Sequence, residues 1–235
     1  MPIKHAFTSA KEDGADATLV RPIDWNAEHV ESQLFLDKFR EFIPWVSVDG
    51  FTVGGDTGYS VLPRGSFLYL HTGATANYGV TIRTLDRWFS FLNTGKVITL
   101  EYSIFWPDTV TMQNIWLRLA TAWEDPPSET AHHFGWKLIG GAAVMNLWAS
   151  NADGTTQTIT DTGVTMAANM LRTRLKIVFN PGTDCKFYVN DVLKVTHTTN
   201  LPTGAHYYLH FHMRTLEAAT KYFYIGRVLI EKEHA

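Results

Sequence analysis

An antiparallel β-sandwich or barrel behind an extended N-terminal segment is the architecture that this sequence predicts. From position 45 onward, apolar and polar residues alternate in short runs, which is the period of a half-buried strand. Clusters rich in glycine, proline and asparagine separate these runs, as in two-sheet all-β domains. We therefore expect an all-β domain over 45–235, an N-terminal arm over 1–30, and a connecting segment over 31–44 with either helical or strand spacing.

Three alternating segments define the centre of the predicted domain. Residues 98–106 and 115–120 place apolar side chains on one face and mainly polar side chains on the other. Residues 171–179 do the same, with arginine and lysine on the polar face. Each segment is therefore expected to be a strand with one face buried.

The C-terminal third adds a hairpin and a closing strand. Asn190 and Asp191 lie between short runs at 186–189 and 192–195, and hairpins favour a two-residue turn of this kind. A last strand is expected over about 222–230, loosened by its glycine.

The histidine-rich segment 206–213 is the most distinctive pattern in the domain. In a strand, four side chains would share one face, namely His206, Tyr208, His210 and His212, while the apolar residues between them face the core. This stripe suits a glycan contact, or a subunit contact whose strength varies below pH ~6.5. Two imidazoles at this spacing can also bind a metal, but no third ligand lies nearby in sequence, so no metal is assigned. His132 and His133 are candidates for the same face.

Eight tryptophans are a second pattern that bears on function. Flat aromatic rings stack on sugars, so a chain rich in tryptophan is a candidate for carbohydrate binding. Core packing is nevertheless the default expectation for those in or near strand-like runs, which are Trp45, Trp88, Trp106, Trp116, Trp123, Trp136 and Trp148. Trp25, in the arm, is instead expected to be an anchor.

Charge and composition exclude several classes of partner. The formal net charge is -3, the isoelectric point is near 6.3, and the basic residues are scattered singly, so no nucleic acid is expected. Neither a leader pattern nor a run of eighteen apolar residues occurs, so no membrane is expected. Cys185 is the sole cysteine, which rules out an internal disulfide and suits a reducing cytoplasm.

Catalytic motifs are absent from the sequence. Sugar-cleaving enzymes need two carboxylates close together across the substrate. The nearest arrangement, from Glu124 to Glu129, is interrupted by two prolines, so a solvated acidic loop is expected there. Cys185 has no obvious histidine partner, and no Gly-x-Ser-x-Gly motif occurs. The chain is therefore predicted to be non-enzymatic, without a cofactor.

The first thirty residues carry turn chemistry rather than a helical or strand period, yet they include large aromatic groups. Such a segment is typical of one that becomes ordered on another surface. It reads His5-x-Phe7-x-Ser9-x-Lys11 and then Val20-Arg21-Pro22-x-Asp24-Trp25-Asn26-x-x-His29. This stretch resembles the N-terminal segment of tailed-bacteriophage virion proteins that decorate heads or form tail appendages. The resemblance implies an attachment arm with five contact residues: Phe7, Arg21, Trp25, Asn26 and His29.

The order of elements near the C-terminus carries a second resemblance. Four parts follow one another: a strand over 175–180, the sequence Tyr-Val-Asn-Asp over 188–191, the Leu201-Pro202 loop and a strand over 222–230. This order is similar to the back half of concanavalin A-like lectin and glucanase jelly rolls. It implies an antiparallel jelly-roll β-sandwich, with aspartate in place of the usual turn glycine at 191.

These patterns together predict a non-enzymatic structural protein of a bacteriophage virion, made in the host cytoplasm. A compact domain without a repetitive shaft favours a head-attached capsid decoration protein over a tail fibre. The expected partners are a major capsid or tail protein, and sister copies in a dimer or trimer. The alternative is a glycan-binding, receptor-recognising module of a tail appendage, whose partner is a cell-surface glycan.

Overall fold

The computed structural model describes residues 51–58, 60–64, 67–84, 96–105, 112–122, 124, 127–141, 144–166, 172–204 and 206–232. Within these residues every regular element is a β-strand, and the strands form two antiparallel sheets of seven. The predicted all-β class is confirmed. No helix in the described ranges is long and apolar enough to cross a membrane. The expected arm over 1–30, with Phe7, Arg21, Trp25, Asn26 and His29, and the segment over 31–44 lie outside these ranges.

The first sheet contains, in spatial order, β1 (Phe51–Gly55), β4 (Gly79–Thr84), β13 (Tyr208–Thr215), β6 (Gln113–Ala120), β7 (His133–Gly140), β8 (Met145–Ala152) and β9 (Gln157–Met166). The second contains β12 (Val192–His197), β11 (Asp184–Val189), β10 (Thr173–Asn180), β5 (Ile98–Phe105), β14 (Tyr222–Lys232), β3 (Phe67–His71) and β2 (Ser60–Arg64). Strands distant in sequence are neighbours in both sheets, and six of the twelve pairings join strands that are not consecutive in the chain.

The two sheets pack face to face through a core of aliphatic and aromatic side chains. Three ring contacts join the sheets, with centroid distances of 5.9 Å for Tyr102–Phe211, 4.8 Å for Phe134–Phe179 and 5.2 Å for Trp136–Phe187. All six side chains are fully buried. Burying one large apolar side chain stabilises a fold by roughly 1.5–3 kcal/mol, so these contacts hold the sandwich together.

Strand parity follows the sequence closely. Ile104 in β5, Leu117 in β6 and Ile177 in β10 were expected to face inward, and all three are fully buried. In β13, Leu209 and Phe211 are likewise buried in the core. The alternation of apolar residues therefore assigns the correct inner face to each of these strands.

The predicted hairpin joins β11 to β12. Its turn residues Asn190 and Asp191 have positive φ angles of 48° and 65°. Two consecutive left-handed residues are the geometry of a type I′ turn, which matches the twist of the flanking strands. Aspartate tolerates this conformation, and its carboxylate lies 2.7 Å from Arg174 Nη2 and 3.2 Å from Lys176 Nζ.

Cys185 lies in β11, on the inner face of the second sheet. Its cross-strand partners are Phe179 in β10 and His197 in β12, and its side chain is fully buried. Burial raises the pKa of the Cys185 thiol well above its ordinary value. A buried thiol of this kind is unreactive in the native state.

A polar cluster closes the sandwich where β8 and β9 approach the end of β12. Asn151 accepts a hydrogen bond from Nδ1 of His197, and its amide donates to the carbonyls of Thr199 at 3.0 Å and Asn200 at 2.6 Å. Nε2 of His197 accepts from the Thr160 hydroxyl at 2.9 Å. Every polar atom of the Asn151 and His197 side chains is thus bonded. We call these residues the edge cluster.

The outer face of the second sheet carries a group of aromatic rings on β3 and β14. Tyr69 lies 5.7 Å from Tyr222 and 4.9 Å from Tyr224 between ring centroids. Tyr222 and Tyr224 are half-buried. The register of β14 shifts around Gly226, where the sequence predicted a loosened strand. A Cβ at this glycine would lie 2.8 Å from the ring of Phe105, so the ring approaches the backbone closely here. We call this surface the tyrosine face.

Candidate functional site

The outer face of the first sheet, opposite the core, carries many polar side chains that are buried. Cross-strand partners share a face, and the register places these residues on it: Thr81, Arg83, Trp116, Arg118, His133, Lys137, Trp148, Ser150, Gln157, Tyr208, His210 and His212. Four ionisable members are at most 2% exposed, namely Arg118, His133, His210 and His212. Buried ionisable groups are uncommon and mark candidate functional sites. We call this surface the polar face.

The predicted histidine stripe runs along β13 through the polar face. Its alternation with the core residues is as expected, but exposure changes along it. His206 precedes the strand and is exposed, Tyr208 is half-buried, and His210 and His212 are fully buried. The guanidinium of Arg83 lies 4.9 Å from the ring centroid of Tyr208. Only the first two of the four stripe residues therefore reach the surface of the described structure.

Arg118 and His210 form the centre of the polar face. The Nε–H of Arg118 donates to Nδ1 of His210 at 3.2 Å, and its Nη1 donates to the carbonyl of Ser128 at 2.6 Å. Because Nδ1 accepts, the proton of the neutral imidazole sits on Nε2, which donates to the Thr81 hydroxyl at 2.9 Å. That hydroxyl donates to the Phe211 carbonyl at 3.2 Å. The chain of hydrogen bonds fixes the His210 tautomer and the position of Arg118.

His133 joins the same face from β7, as the sequence suggested, through a second chain of hydrogen bonds. Its Nδ1–H donates to the carbonyl of Ala131 at 2.8 Å, so its Nε2 is the acceptor for the Ser150 hydroxyl at 2.8 Å. The amide of Gln157 donates to the same hydroxyl oxygen at 3.0 Å. His132 lies elsewhere, since its Nδ1 accepts from the backbone N–H of Thr203 at 3.3 Å.

The acidic loop before β7 reaches back onto the polar face. One carboxylate oxygen of Glu129 accepts from Lys137 at 2.6 Å, and the other accepts from Gln157 at 2.7 Å. Glu124 is exposed, in agreement with the expected solvated loop. The Glu129 side chain is 41% exposed, and its carboxylate is also held by one lysine and one amide that sequence spacing cannot locate.

Burial keeps the imidazoles of the polar face neutral. Burial, with the nearby charge of Arg118, lowers the pKa of His133 to about 3 and that of His212 to about 3. The same causes lower the pKa of His210 well below its ordinary value. Burial also lowers the pKa of Arg118 to about 10, against an opposing effect from Glu129. Arg118 therefore remains charged at neutral pH, and the three histidines do not become charged.

One cross-strand row places two indole rings on either side of a lysine. Trp116, Lys137 and Trp148 are consecutive neighbours across β6, β7 and β8. Nζ of Lys137 lies 5.2 Å from the centroid of the Trp116 ring, and the His212 ring meets that indole edge-on at 5.2 Å. Trp148 is half-buried. Among the described residues, neither indole Nε1–H has a hydrogen-bond acceptor, which is uncommon for a buried donor.

Gly135 leaves the centre of the face without a side chain. It lies between Arg118 and Ser150 in the next cross-strand row. A Cβ at this position would lie 2.3 Å from Cβ of Arg118 and 2.4 Å from the carbonyl oxygen of Leu117, neither of which can move without displacing β6. Only glycine fits here, so the Arg118 side chain can lie close over β7.

The tryptophans divide between the core and the polar face. Core packing is confirmed for Trp136, which is 1% exposed between the sheets. It is wrong for Trp116 and Trp148, which project from the opposite face of their strands. Trp116 shares the parity of Arg118, and this parity could have placed it on the outer face. The others, Trp25, Trp45, Trp88, Trp106 and Trp123, lie outside the described residues.

The described residues contain no group of three or more histidine, cysteine, aspartate or glutamate side chains placed to hold a metal ion. The ring centroids of His210 and His212 are 6.4 Å apart. Both ring nitrogens of His210 are engaged, by Arg118 and Thr81. The face therefore offers hydrogen-bond donors and aromatic rings rather than a set of metal ligands.

Several solved structures share this architecture. The Emp46p carbohydrate recognition domain in its potassium-bound form is 12% identical with a TM-score of 0.55, over 80% of this chain and 90% of that one. A β-glucanase from Bacillus licheniformis is 14% identical with a TM-score of 0.60, over 83% of this chain and 98% of that one. A native glycosidic hydrolase is 10% identical with a TM-score of 0.56, over 78% and 90% of the two chains.

The sandwich has the concanavalin A-like lectin and glucanase fold. The predicted jelly roll is thereby confirmed for the domain. These identities are low enough that the likeness extends to the fold alone, and both a sugar-binding domain and hydrolases appear among the concanavalin A-like structures. No protein-family model matches the chain, and no curated protein matches its sequence.

Proposed function

We propose that the concanavalin A-like sandwich is a non-enzymatic glycan-binding module and that its binding surface is the polar face. The observation that carries the proposal is the row of Trp116, Lys137 and Trp148, in which two indole N–H donors lack an acceptor among the residues that the structure describes. Aromatic rings stack against sugar C–H groups, while N–H donors bind sugar hydroxyls. The fold is compatible with this role but does not by itself supply it.

The described carboxylates support binding rather than hydrolysis. A glycosidase needs an acid and a second carboxylate within about 5–10 Å across the sugar. Glu129 has both oxygens engaged by Lys137 and Gln157. Glu101 belongs to the other sheet, where Arg174 lies 3.0 Å from its carboxylate. We expect no release of reducing ends when the full chain is incubated with a panel of polysaccharides, and measurable turnover would contradict the non-enzymatic role.

A glycan array with matched tryptophan and tyrosine variants tests the binding role. Trp148→Ala removes a half-buried ring from the polar face, and we expect at least a tenfold loss of glycan signal. Tyr222→Ala removes a half-buried ring from the tyrosine face and is expected to leave the signal unchanged. Loss of binding in the tyrosine variant alone would move the site to the second sheet. An array without any signal for the folded chain would overturn glycan binding.

Attachment to a bacteriophage particle is a second function, favoured by the resemblance over residues 3–29. We propose that five arm residues contact a major capsid or tail protein of the virion: Phe7, Arg21, Trp25, Asn26 and His29. The absence of a repetitive shaft in the sequence supports a head-attached decoration protein, assembled as a dimer or trimer after synthesis in the host cytoplasm. This attachment role is compatible with a glycan-binding sandwich displayed outward.

Deletion of residues 1–30 tests the attachment role. The truncated chain should remain folded and soluble, because the sandwich has its own core, but it should no longer join particles. Particles assembled with the truncated and full-length chains can be compared for copy number by quantitative mass spectrometry. Equal copy numbers in the two preparations would show that attachment does not need the arm.

A further inference from the structure

We propose that the polar face binds an anionic oxygen group, the carboxylate of an acidic sugar, on the guanidinium of Arg118. This inference rests on the proposed glycan-binding function and deepens it, because it names the chemical class of sugar. It follows from a buried guanidinium without an ion pair and from two buried donors without acceptors, all among the described residues.

The first observation is a buried charge that lacks a charged partner. Arg118 is 2% exposed, and its two hydrogen-bond acceptors, an imidazole nitrogen of His210 and the carbonyl of Ser128, are both neutral. No described carboxylate forms an ion pair with it. A guanidinium taken out of water is unfavourable unless an anion compensates its charge. The face is therefore incomplete without an anion.

The second observation is that the nearest carboxylate is already occupied. Glu129 is held by Lys137 and Gln157, so it acts on the guanidinium from a distance and forms no direct ion pair with it. The face carries four cations, Arg83, Arg118, Lys137 and Arg214, against the carboxylates of Glu129 and Asp161 and that of Glu124, which acts on Arg118 from the loop. Local electrostatics therefore favour an added negative group.

The third observation is a pair of donors on one strand. Nη2 of Arg118 and Nε1 of Trp116 are both buried, and neither has an acceptor among the described residues. The two residues are two apart on β6, so their side chains leave the sheet on the same side. One carboxylate has two oxygens, and guanidinium and indole N–H groups are donors only. In the proposed complex, a single carboxylate accepts from both.

The surroundings favour a sugar acid over a free inorganic anion. Gly135 places no side chain between Arg118 and Ser150, and the Arg118 side chain lies close over β7 at this point. Trp148, one row along, offers a half-buried ring for the face of a pyranose. Phosphate or sulfate would use the guanidinium and leave this ring without a partner.

Calorimetric titration of the full chain with matched sugars tests the inference. The probes are an oligogalacturonate and its methyl ester, which share the same rings and differ in charge. We expect the acid to bind about 10–100-fold more tightly than the ester, as for one charge-assisted pair of hydrogen bonds. This comparison uses the unmodified protein, so it does not depend on the folding of any variant. Equal affinities would overturn the carboxylate site while leaving glycan binding in place.

Three variants test which residues cause the preference for the acid over the ester. Arg118→Gln should remove the preference for the acid, and Trp116→Phe, which keeps the ring but loses the N–H, should weaken acid binding several-fold. Arg214→Gln, on the same face and bonded to the carbonyl of Asn77, is the matched control and should retain the preference. Retention of the full preference in both Arg118→Gln and Trp116→Phe would overturn the assignment of these donors.

Titration with sodium phosphate and sodium sulfate distinguishes an acidic sugar from a free inorganic anion as the ligand. Competition by either salt with the oligogalacturonate, abolished by Arg118→Gln, would support the site. Saturable phosphate binding with no oligosaccharide bound would overturn the acidic sugar and the proposed glycan function together. Binding of the neutral ester alone would overturn the inference and support the proposed function.

Discussion

Two buried polar clusters in this sandwich differ in how completely their hydrogen bonds are made. In the edge cluster, Asn151 and His197 use every side-chain donor and acceptor. On the polar face, Arg118 and Trp116 each keep a buried N–H that has no acceptor within the described part of the chain. Both clusters are shielded from water, so burial alone does not distinguish them.

This difference in hydrogen bonding matches a structural role for the edge cluster and the proposed binding role for the polar face. Nearly all buried polar groups in native proteins are paired, and a complete network fixes a single conformation. An incomplete network lowers stability, and on an outer face the missing partner can come from outside. The edge cluster therefore stabilises the contact between its strands, and the polar face is the surface that we propose binds a ligand.

The largest expected effect is a loss of stability in mild acid, which comes mainly from the polar face. Lowered pKa values keep His133, His210 and His212 neutral in the native state, whereas they become protonated in the unfolded chain below pH ~6.5. Stability is therefore complete above pH ~6.5 and falls as the pH drops toward about 3. Between pH 6.5 and 5 the loss should be roughly 1.5 kcal/mol for each of His133 and His212, about 3 kcal/mol together, with a further loss from His210.

Urea denaturation at pH 7, 6 and 5 measures this loss. The edge cluster contributes one histidine, His197, whose pKa burial lowers to about 4. His197→Asn should therefore retain most of the acid sensitivity, and His206→Gln, at an exposed position, should retain all of it. An unfolding free energy that is unchanged at pH 5 would show that the polar-face histidines do not stay neutral.

Asn151→Ala is expected to give the next largest effect, about 3 kcal/mol of destabilisation. It removes three hydrogen bonds and leaves the imidazole of His197 buried without its acceptor. Because the edge cluster is structural, glycan affinity measured on the same sample should stay within about twofold. A strong loss of affinity in a stable variant would contradict the division between the two clusters.

Gly135→Ala tests the packing beneath the polar face. The added methyl would collide with Arg118 and with the Leu117 carbonyl, so we expect about 2 kcal/mol of destabilisation in thermal or urea unfolding. Gly182 is the matched comparison, since it has a φ of 73° and open space around it. Gly182→Ala should cost about 1 kcal/mol from backbone strain, with no effect on binding.

Arg118→Gln is expected to have the smallest effect on stability, about 1 kcal/mol. Two hydrogen bonds are lost, but a buried charge without an anion is lost with them, and the two terms oppose one another. Urea denaturation of Arg118→Gln and Asn151→Ala under the same conditions compares their losses of unfolding free energy directly. A loss larger than that of the asparagine variant would make Arg118 a structural residue.

Local sequence patterns specify much of the fold. The alternation in β6, β10 and β13 assigned the inner face of each strand, since the period of a strand is set by its own residues. Asn190 and Asp191 specified their turn for the same reason, because both tolerate positive φ. These features depend on neighbours in the chain.

The candidate site depends on neighbours in space, and the sequence does not give the strand order. Arg118 and His210 are 92 residues apart, and Thr81 and His210 are 129 apart. The histidine stripe was recognised as one face of a strand, yet its burial and its link to Arg118 follow from the adjacency of β4, β13 and β6. Trp148 was assigned to the core because an aromatic residue in a strand fits either face.

The single thiol of Cys185 can report how often the second sheet opens. Because the sulfur is enclosed between Phe179 and His197 in the register of β10 to β12, a thiol reagent can reach it only when these strands separate. The rate at which the reagent labels Cys185 in native buffer then measures how often these strands separate. No engineered probe is needed.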